Sequence, residues 1–376
     1  MYNTWEDQMF LSKQEINTGR QREFDYLKGL FVPMIILIHA FQLMGGTAEP
    51  IYEVFYPICT LTGSTIFLFV MGLGSTYSRR TEKQMVISGI KLILWQIAWN
   101  VFALALPFML GQGIRAVCGL SMEMWPVALM QTGILLQYIN IFFIAGVCYL
   151  FLALFKKLRL PTWGYLVLAT VLFIATPFLY ITDFTTGVPA LDYVLTMFCG
   201  GRDSVSLIFL PHLVYTLFGV WFGRILRRSS SKKKLYICIL PGALAIGTAY
   251  VVYAVLTNDT LTDFCNFMSY EYTFPGMFRM AANLSWTLLS AALLYAVSGY
   301  ISKIKPLNKV LLHFNRRTSA YYAIHPFVYS LIASLMVMAP MDWISCVVIA
   351  VVNTFVVWLV IRLWDRIYKP NKQRNK

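Results

Sequence analysis

Long apolar runs parted by short polar ones set the rhythm of this chain. Ten stretches, at about 24–44, 54–77, 85–108, 134–155, 161–181, 206–226, 234–256, 279–301, 318–339 and 343–367, pass the roughly 18 residues that mark a transmembrane helix candidate. The pattern predicts an all-α, polytopic membrane protein, a bundle of about ten transmembrane helices. Nothing long intervenes, so the expected organisation is an N-terminal segment 1–23, one transmembrane domain 24–367 and a basic tail 368–376. The first 23 residues are polar, with no apolar core and no small-residue cleavage site, which argues against a cleavable signal peptide. No internal repeat is visible, nor a matched pair of Gly/Pro-broken spans of the kind that points to a secondary transporter.

The connections differ in character. One set is short and basic: SRRTEK, KKLRLP and RRSSSKKK. The other set, 45–53, 109–133, 182–205 and 257–278, is longer and more acidic. Loops of that length tend to form binding surfaces, lids or short helices of their own. Their aromatics, Trp125, Tyr193, Tyr270 and Tyr272, fit either a membrane-interface belt or the lining of an acceptor site.

Composition agrees with a lipid environment. The chain of 376 residues is 58% hydrophobic and 13% charged, against about 25% charged in soluble domains. The net charge of +14 would suggest nucleic acid in a soluble protein, but its distribution argues otherwise. With the N-terminus cytoplasmic, all but five of the 31 basic residues fall on the inner side. The five are Arg115, Arg202 and Arg279 in outer connections, and Lys28 and Lys91 within helices. Lysine and arginine in short loops set orientation. Both termini are therefore expected in the cytoplasm, in a multi-pass protein of the cell membrane that binds lipid and no nucleic acid. The seven cysteines show no paired spacing and no metal framework. Cys199 and Cys265 fall in outer connections, where an oxidising compartment would let them pair.

The first apolar stretch, REFDYLKGLFVPMIILIHAFQLM, carries Asp25, Lys28 and His39. Lys28 and His39 are eleven residues apart, about 20° past three full turns at roughly 100° per residue, hence on one face and about 16 Å apart. Asp25, three residues before Lys28, shares that stripe. Ionisable groups in a membrane helix normally face the bundle interior and mark a pathway or a reactive site. Singly, each has a plainer explanation: a snorkelling lysine or a histidine that bonds a neighbouring helix.

Lys28, ten intervening residues and His39 resemble the Arg/Lys-x10-His signature in the first helix of the acyltransferase 3 family. Asp25-x-x-Lys28-Gly29 resembles the Asp-x-x-Arg-Gly opening of the heparan-glucosaminide N-acetyltransferase-like family, within the same transmembrane acyltransferase superfamily. GSTIFLFVMGLGSTYSRR is similar to their Phe-rich helix with a glycine before a basic loop (Phe67, Phe69, Gly72, Arg79, Arg80). LPHLVYTLFGVWFGRIL resembles a Pro…Gly-x-x-x-Gly-Arg helix (Pro211, Gly219, Gly223, Arg224). RRTSAYYAIHPFVYS is similar to a late Ser…Tyr…His-Pro helix (Ser319, Tyr321, His325, Pro326). Two departures bear on the subfamily: lysine in place of arginine at 28, and Met71-Gly72-Leu73 where Ser-Gly-Phe is frequent.

The resemblance implies an integral membrane acyltransferase. It would move an acyl group, usually acetyl, from cytoplasmic acyl-CoA to a hydroxyl or amine, commonly of a cell-surface or exported carbohydrate, without a metal. On that reading His39 is the general base, since an imidazole with an unperturbed pKa near 6.5 suits taking a proton from a hydroxyl. Lys28, oriented by Asp25, would hold a phosphate or the thioester end of the donor. Arg79, Arg80, Arg316 and Arg317 would meet the CoA phosphates, or serve as ordinary inner-side charges. His325 would contact the donor or pack at the kink made by Pro326, and His212 would line the acceptor side or anchor an interface. His313 lies in a basic inner connection and carries no assignment. Two rival readings are a transporter or exporter of a glycan or lipid-linked precursor, and a membrane scaffold subunit.

Overall fold

The computed structural model describes residues 11–12, 14–44, 50–119, 135–136, 138–179, 186–199, 208–258, 260, 263, 267, 275–335 and 341–368. The proposed Cys199–Cys265 pair, Lys13, Trp125, Arg202, Tyr270, Tyr272 and the tail beyond 368 lie outside what is described. The side chain of Tyr193 lies outside it too. The described chain is helical and contains no strand; its isolated bridges include an antiparallel one between Leu11 and Ser229.

In chain order the helices are α1 (Arg22–Met44), α2 (Pro50–Tyr77), α3 (Glu82–Trp99), α4 (Leu106–Val117), α5 (Ile141–Lys157) and α6 (Thr162–Ala175). They continue with α7 (Pro189–Cys199), α8 (Phe209–Arg228), α9 (Lys232–Leu256), α10 (Met277–Lys303), α11 (Lys305–Leu335) and α12 (Trp343–Tyr368). A π-helical stretch, Asn100–Ala105, joins α3 to α4 without a break. Each predicted apolar run contains helix among its described residues. Six helical stretches among the described residues are long and apolar enough to cross a membrane, among them Arg22–Gln42, Glu82–Val117 and Trp343–Ile367.

Two stretches read as outer connections are partly helical. Segment 182–205 contains α7. Segment 109–133 begins with α4, whose apolar residues Leu106, Leu110, Ile114 and Val117 face outward while Gly111, Gln112 and Arg115 are buried. Gln112 and Arg115 interrupt the apolar run, so hydropathy ends the span near 108. The helix nevertheless continues, because its polar side turns inward.

The helices group into two compact units of interleaved segments. The first comprises residues 1–27, 60–96 and 138–300, the second residues 28–59, 97–137 and 301–376. Glycine sets the closest helix approaches in both. In the first unit a Cβ on Gly72 would lie 2.0 Å from the Thr216 carbonyl oxygen, and one on Gly219 would lie 2.1 Å from that of Phe69. The backbones of α2 and α8 therefore touch, as small residues permit in membranes. In the second unit a Cβ on Gly29 would lie 2.2 Å from the carbonyl oxygen of Leu311, fixing α1 against α11. α12 turns Cys346, Ala350, Asn353, Val357 and Ile361 inward and Val348, Val352, Leu359 and Trp364 outward, which suits a helix with one side in lipid.

Candidate functional site

The second unit brings two histidines together. His39 Nδ1 lies 2.8 Å from His325 Nε2, with ring centroids 5.0 Å apart and planes 22° from parallel. His39 of α1 thus meets the His-Pro turn of α11. Three further bonds fix this meeting. Tyr329 donates its hydroxyl to the Ile36 carbonyl at 2.7 Å, tying α11 to α1 one turn before His39. Asn353 on α12 donates to the His325 carbonyl at 2.9 Å. Trp99, at the entrance to the π-helical stretch, donates its indole N–H to the Ala323 carbonyl at 3.1 Å and stacks on Tyr322.

Pro326 lies among the carbonyls that accept these side-chain donors. It lacks an N–H and its ring presses on the preceding turn, so the helix ladder is loosened there. The carbonyls of Tyr321, Ala323 and His325 each take a side-chain donor around that point.

The bond directions settle the tautomers. A carbonyl oxygen only accepts, so His325 donates Nδ1–H to the Tyr321 carbonyl, 2.8 Å away. A neutral imidazole carrying its proton on Nδ1 presents an acceptor at Nε2. His39 must then donate Nδ1–H to His325 Nε2. Its own Nε2 is left as a lone pair, with no hydrogen-bond partner among the described residues. His325 is buried and His39 half-buried, so the relay runs from the packed interior toward the accessible ring.

A groove of about 1120 Å³ adjoins this relay within the same unit. Pro33 and Leu37 of α1, Val347, Val351 and Phe355 of α12 and Tyr321 of α11 give it apolar walls. Lys309, Arg316 and Arg317 stand along it. Arg317 is ion-paired with Asp365, whereas Arg316 is exposed. Tyr321 belongs to both features. Its carbonyl holds His325, while its hydroxyl, on the groove, lies 3.2 Å from His313 Nε2.

The other candidates lie as follows. Lys28 is half-buried on α1. Asp25 accepts from Arg20, an ion pair at the start of the same helix. Arg79 and Arg80 are exposed, with Arg80 5.8 Å over the Tyr149 ring and 3.4 Å from its hydroxyl. His212, in the first unit, is buried. It donates Nδ1–H to the Ile208 carbonyl at 2.6 Å, and its Nε2 accepts from the Ser64 hydroxyl at 3.2 Å. Both ring nitrogens are thus engaged by protein groups, which leaves a substrate only the ring face.

Sequence reasoning passed over Trp99, Tyr329 and Asn353, apolar-run residues with nothing to distinguish them. It left His325 between donor contact and packing at the kink, and the structure places its ring against that of His39. A family model described as an acyltransferase domain, that of the acyltransferase 3 family, matches residues 21–362. No curated protein and no solved structure matches. The matched span takes in α1 with its charged stripe, the His-Pro turn of α11 and most of α12, and on that coverage the chain belongs to the acyltransferase 3 family of membrane acyltransferases.

Proposed function

We propose that the protein transfers an acyl group, acetyl in the first instance, from acyl-CoA to a hydroxyl or amine of a carbohydrate acceptor, in the cell membrane, with His39 as general base. The observation that carries this reading is the bond order Tyr321 carbonyl, His325, His39, which leaves His39 Nε2 as a lone pair. That atom takes the proton of the acceptor group as its oxygen or nitrogen attacks the thioester carbonyl carbon. The new bond forms, the carbon–sulfur bond breaks, and the leaving sulfur recovers the proton from Nε2. While His39 is cationic, its Nδ1–H remains donated to His325, so the charge is shared along the relay. His325 acts through His39 and is a positioning residue.

The groove beside the relay suits the donor. Apolar walls accept a long, thin acyl-pantetheine arm, and Lys309 with Arg316 offers cations to the phosphates, which guanidinium forks hold well. Lys28 on α1 would add a further charge toward the donor. The test uses full-length purified protein, radiolabelled acetyl-CoA and a panel of sugars, with water as the default acceptor. Label should pass from CoA in the wild type and stay on it in His39→Ala. Equal turnover by that variant would remove His39 from the chemistry. Transport of a glycan into proteoliposomes without any CoA turnover would replace acyl transfer altogether.

A further inference from the structure

The first unit holds a second cavity, of about 820 Å³, at the basic ends of α5 and α8. Lys156, Arg159, Arg224 and Arg228 line it together with Leu11, Leu160, Pro161, Thr162, Trp163 and Ile225. No carboxylate is among the lining residues. Lys156, one of the lining residues, is ion-paired with Glu82 at 3.7 Å.

Two of the four cations are held by backbone carbonyls. Arg224 donates to the Leu160 carbonyl at 2.9 Å and lies 4.5 Å over the Tyr165 ring, so its guanidinium is held. Arg228 donates Nε–H to the carbonyl of Ser12 at 2.9 Å, fixed by the N-terminal strap that runs along the end of α8. Arg159 is the strongest sign. Its φ is +53°, and no other non-glycine residue among those described has a positive φ. Leu160 N–H bonds the Phe155 carbonyl at 3.0 Å and Arg159 N–H that of Lys156 at 3.0 Å. This is the left-handed close of a helix, where glycine is the usual residue because it escapes the Cβ clash. A strained position that keeps a large charged side chain points to a use for that side chain.

We propose that this cavity binds a phosphate group, held by the guanidinium groups of Arg159, Arg224 and Arg228 and the ammonium of Lys156. Charge-assisted bonds from guanidinium to phosphate oxygens are the strong ones, and several in one pocket select a multiply charged anion. Such a phosphate has two sources, an anionic lipid headgroup and a soluble nucleotide phosphate. Trp163, exposed at the cavity, is of the type that settles at headgroup level. The site stands independently of the acyl-transfer reading, because binding is measured without turnover.

The experiment is native mass spectrometry of the full-length protein in a zwitterionic detergent. It is titrated with phosphatidic acid in one arm and adenosine 3′,5′-bisphosphate in the other. Wild type should bind at least one probe. Arg159→Gly should bind that probe about tenfold more weakly, while its thermal midpoint stays equal or rises, since glycine relieves the positive φ. The double variant Arg224→Gln, Arg228→Gln should lose binding further. Retention of the lipid alone identifies a headgroup, retention of the nucleotide alone a soluble ligand, and retention of both a pocket that reads phosphate itself. Binding of neither probe by wild type overturns the proposal, as does wild-type affinity in Arg159→Gly.

Discussion

His325 in the second unit and His212 in the first are held by the same local device, and they end in different chemistry. Each sits beside a proline, Pro326 after the one and Pro211 before the other. Each donates Nδ1–H to the carbonyl four residues earlier, Tyr321 at 2.8 Å and Ile208 at 2.6 Å, and each therefore presents Nε2 as an acceptor. The donor that meets Nε2 makes the difference. At His325 it is a second imidazole, which donates at one nitrogen and keeps a lone pair at the other. At His212 it is the Ser64 hydroxyl, which ends the chain of bonds in a buried group. Fixing a tautomer is thus common to both, and on the proposed reading a base arises only where the next group keeps an unbonded ring nitrogen.

That comparison breaks most sharply with the two histidines swapped for alanine. His39→Ala should lower kcat by about 10³-fold, within the range usual for loss of a general base, with little change in KM for the donor. His212→Ala should leave kcat within a few-fold and lower the thermal midpoint instead. Gly29→Ala should come next. The added Cβ would sit 2.2 Å from the Leu311 carbonyl oxygen, so α1 must retreat from α11. Overpacking of this kind costs about 1–3 kcal/mol, and a displacement near 1 Å between reacting groups lowers rate by about 10²-fold. Activity should therefore fall further than stability. A variant that loses both in step would show that the relay tolerates the shift.

His325→Ala should cost less, some tens-fold in kcat, since His39 keeps its basic atom but loses its orientation and leaves Nδ1–H unpaired, at about 1–3 kcal/mol. His325→Gln offers a side-chain oxygen to the same N–H and should recover part of that loss. The rate against pH should keep a single acid limb in both variants. Its midpoint should move from the wild-type position in the alanine variant and return toward it in glutamine. A purely structural role for His325 would leave the limb where it is.

Much of this was legible from sequence, and the rest failed for definite reasons. Most of the helices follow from apolar runs, and the stripe of α1 follows from helical period, because both are local properties. The meeting of His39 and His325 spans 286 positions, and no local pattern says which helices face each other. Gly29 appeared only as part of a motif. Its reason, contact with the Leu311 backbone, belongs to packing. α4 was cut short because hydropathy sums both faces of a helix, and Gln112 and Arg115 point inward. Arg159 hid a left-handed turn that a glycine would have announced.

Ser64→Ala gives the smallest effect and the finest test of the comparison. Removing the hydroxyl leaves His212 Nε2 buried without its donor, a loss of about 1–3 kcal/mol in stability by the usual cost of an unsatisfied buried group. The relay on α1 and α11 shares no hydrogen bond with Ser64, so kcat for acyl transfer should stay within about threefold, as expected for sites without common partners. The hydroxyl donates to a neutral imidazole, which is also how an activated serine is arranged. Were kcat to fall as far as in His39→Ala, with label trapped on the wild-type protein, Ser64 would be an acyl carrier. The contrast between the two histidines would then no longer hold.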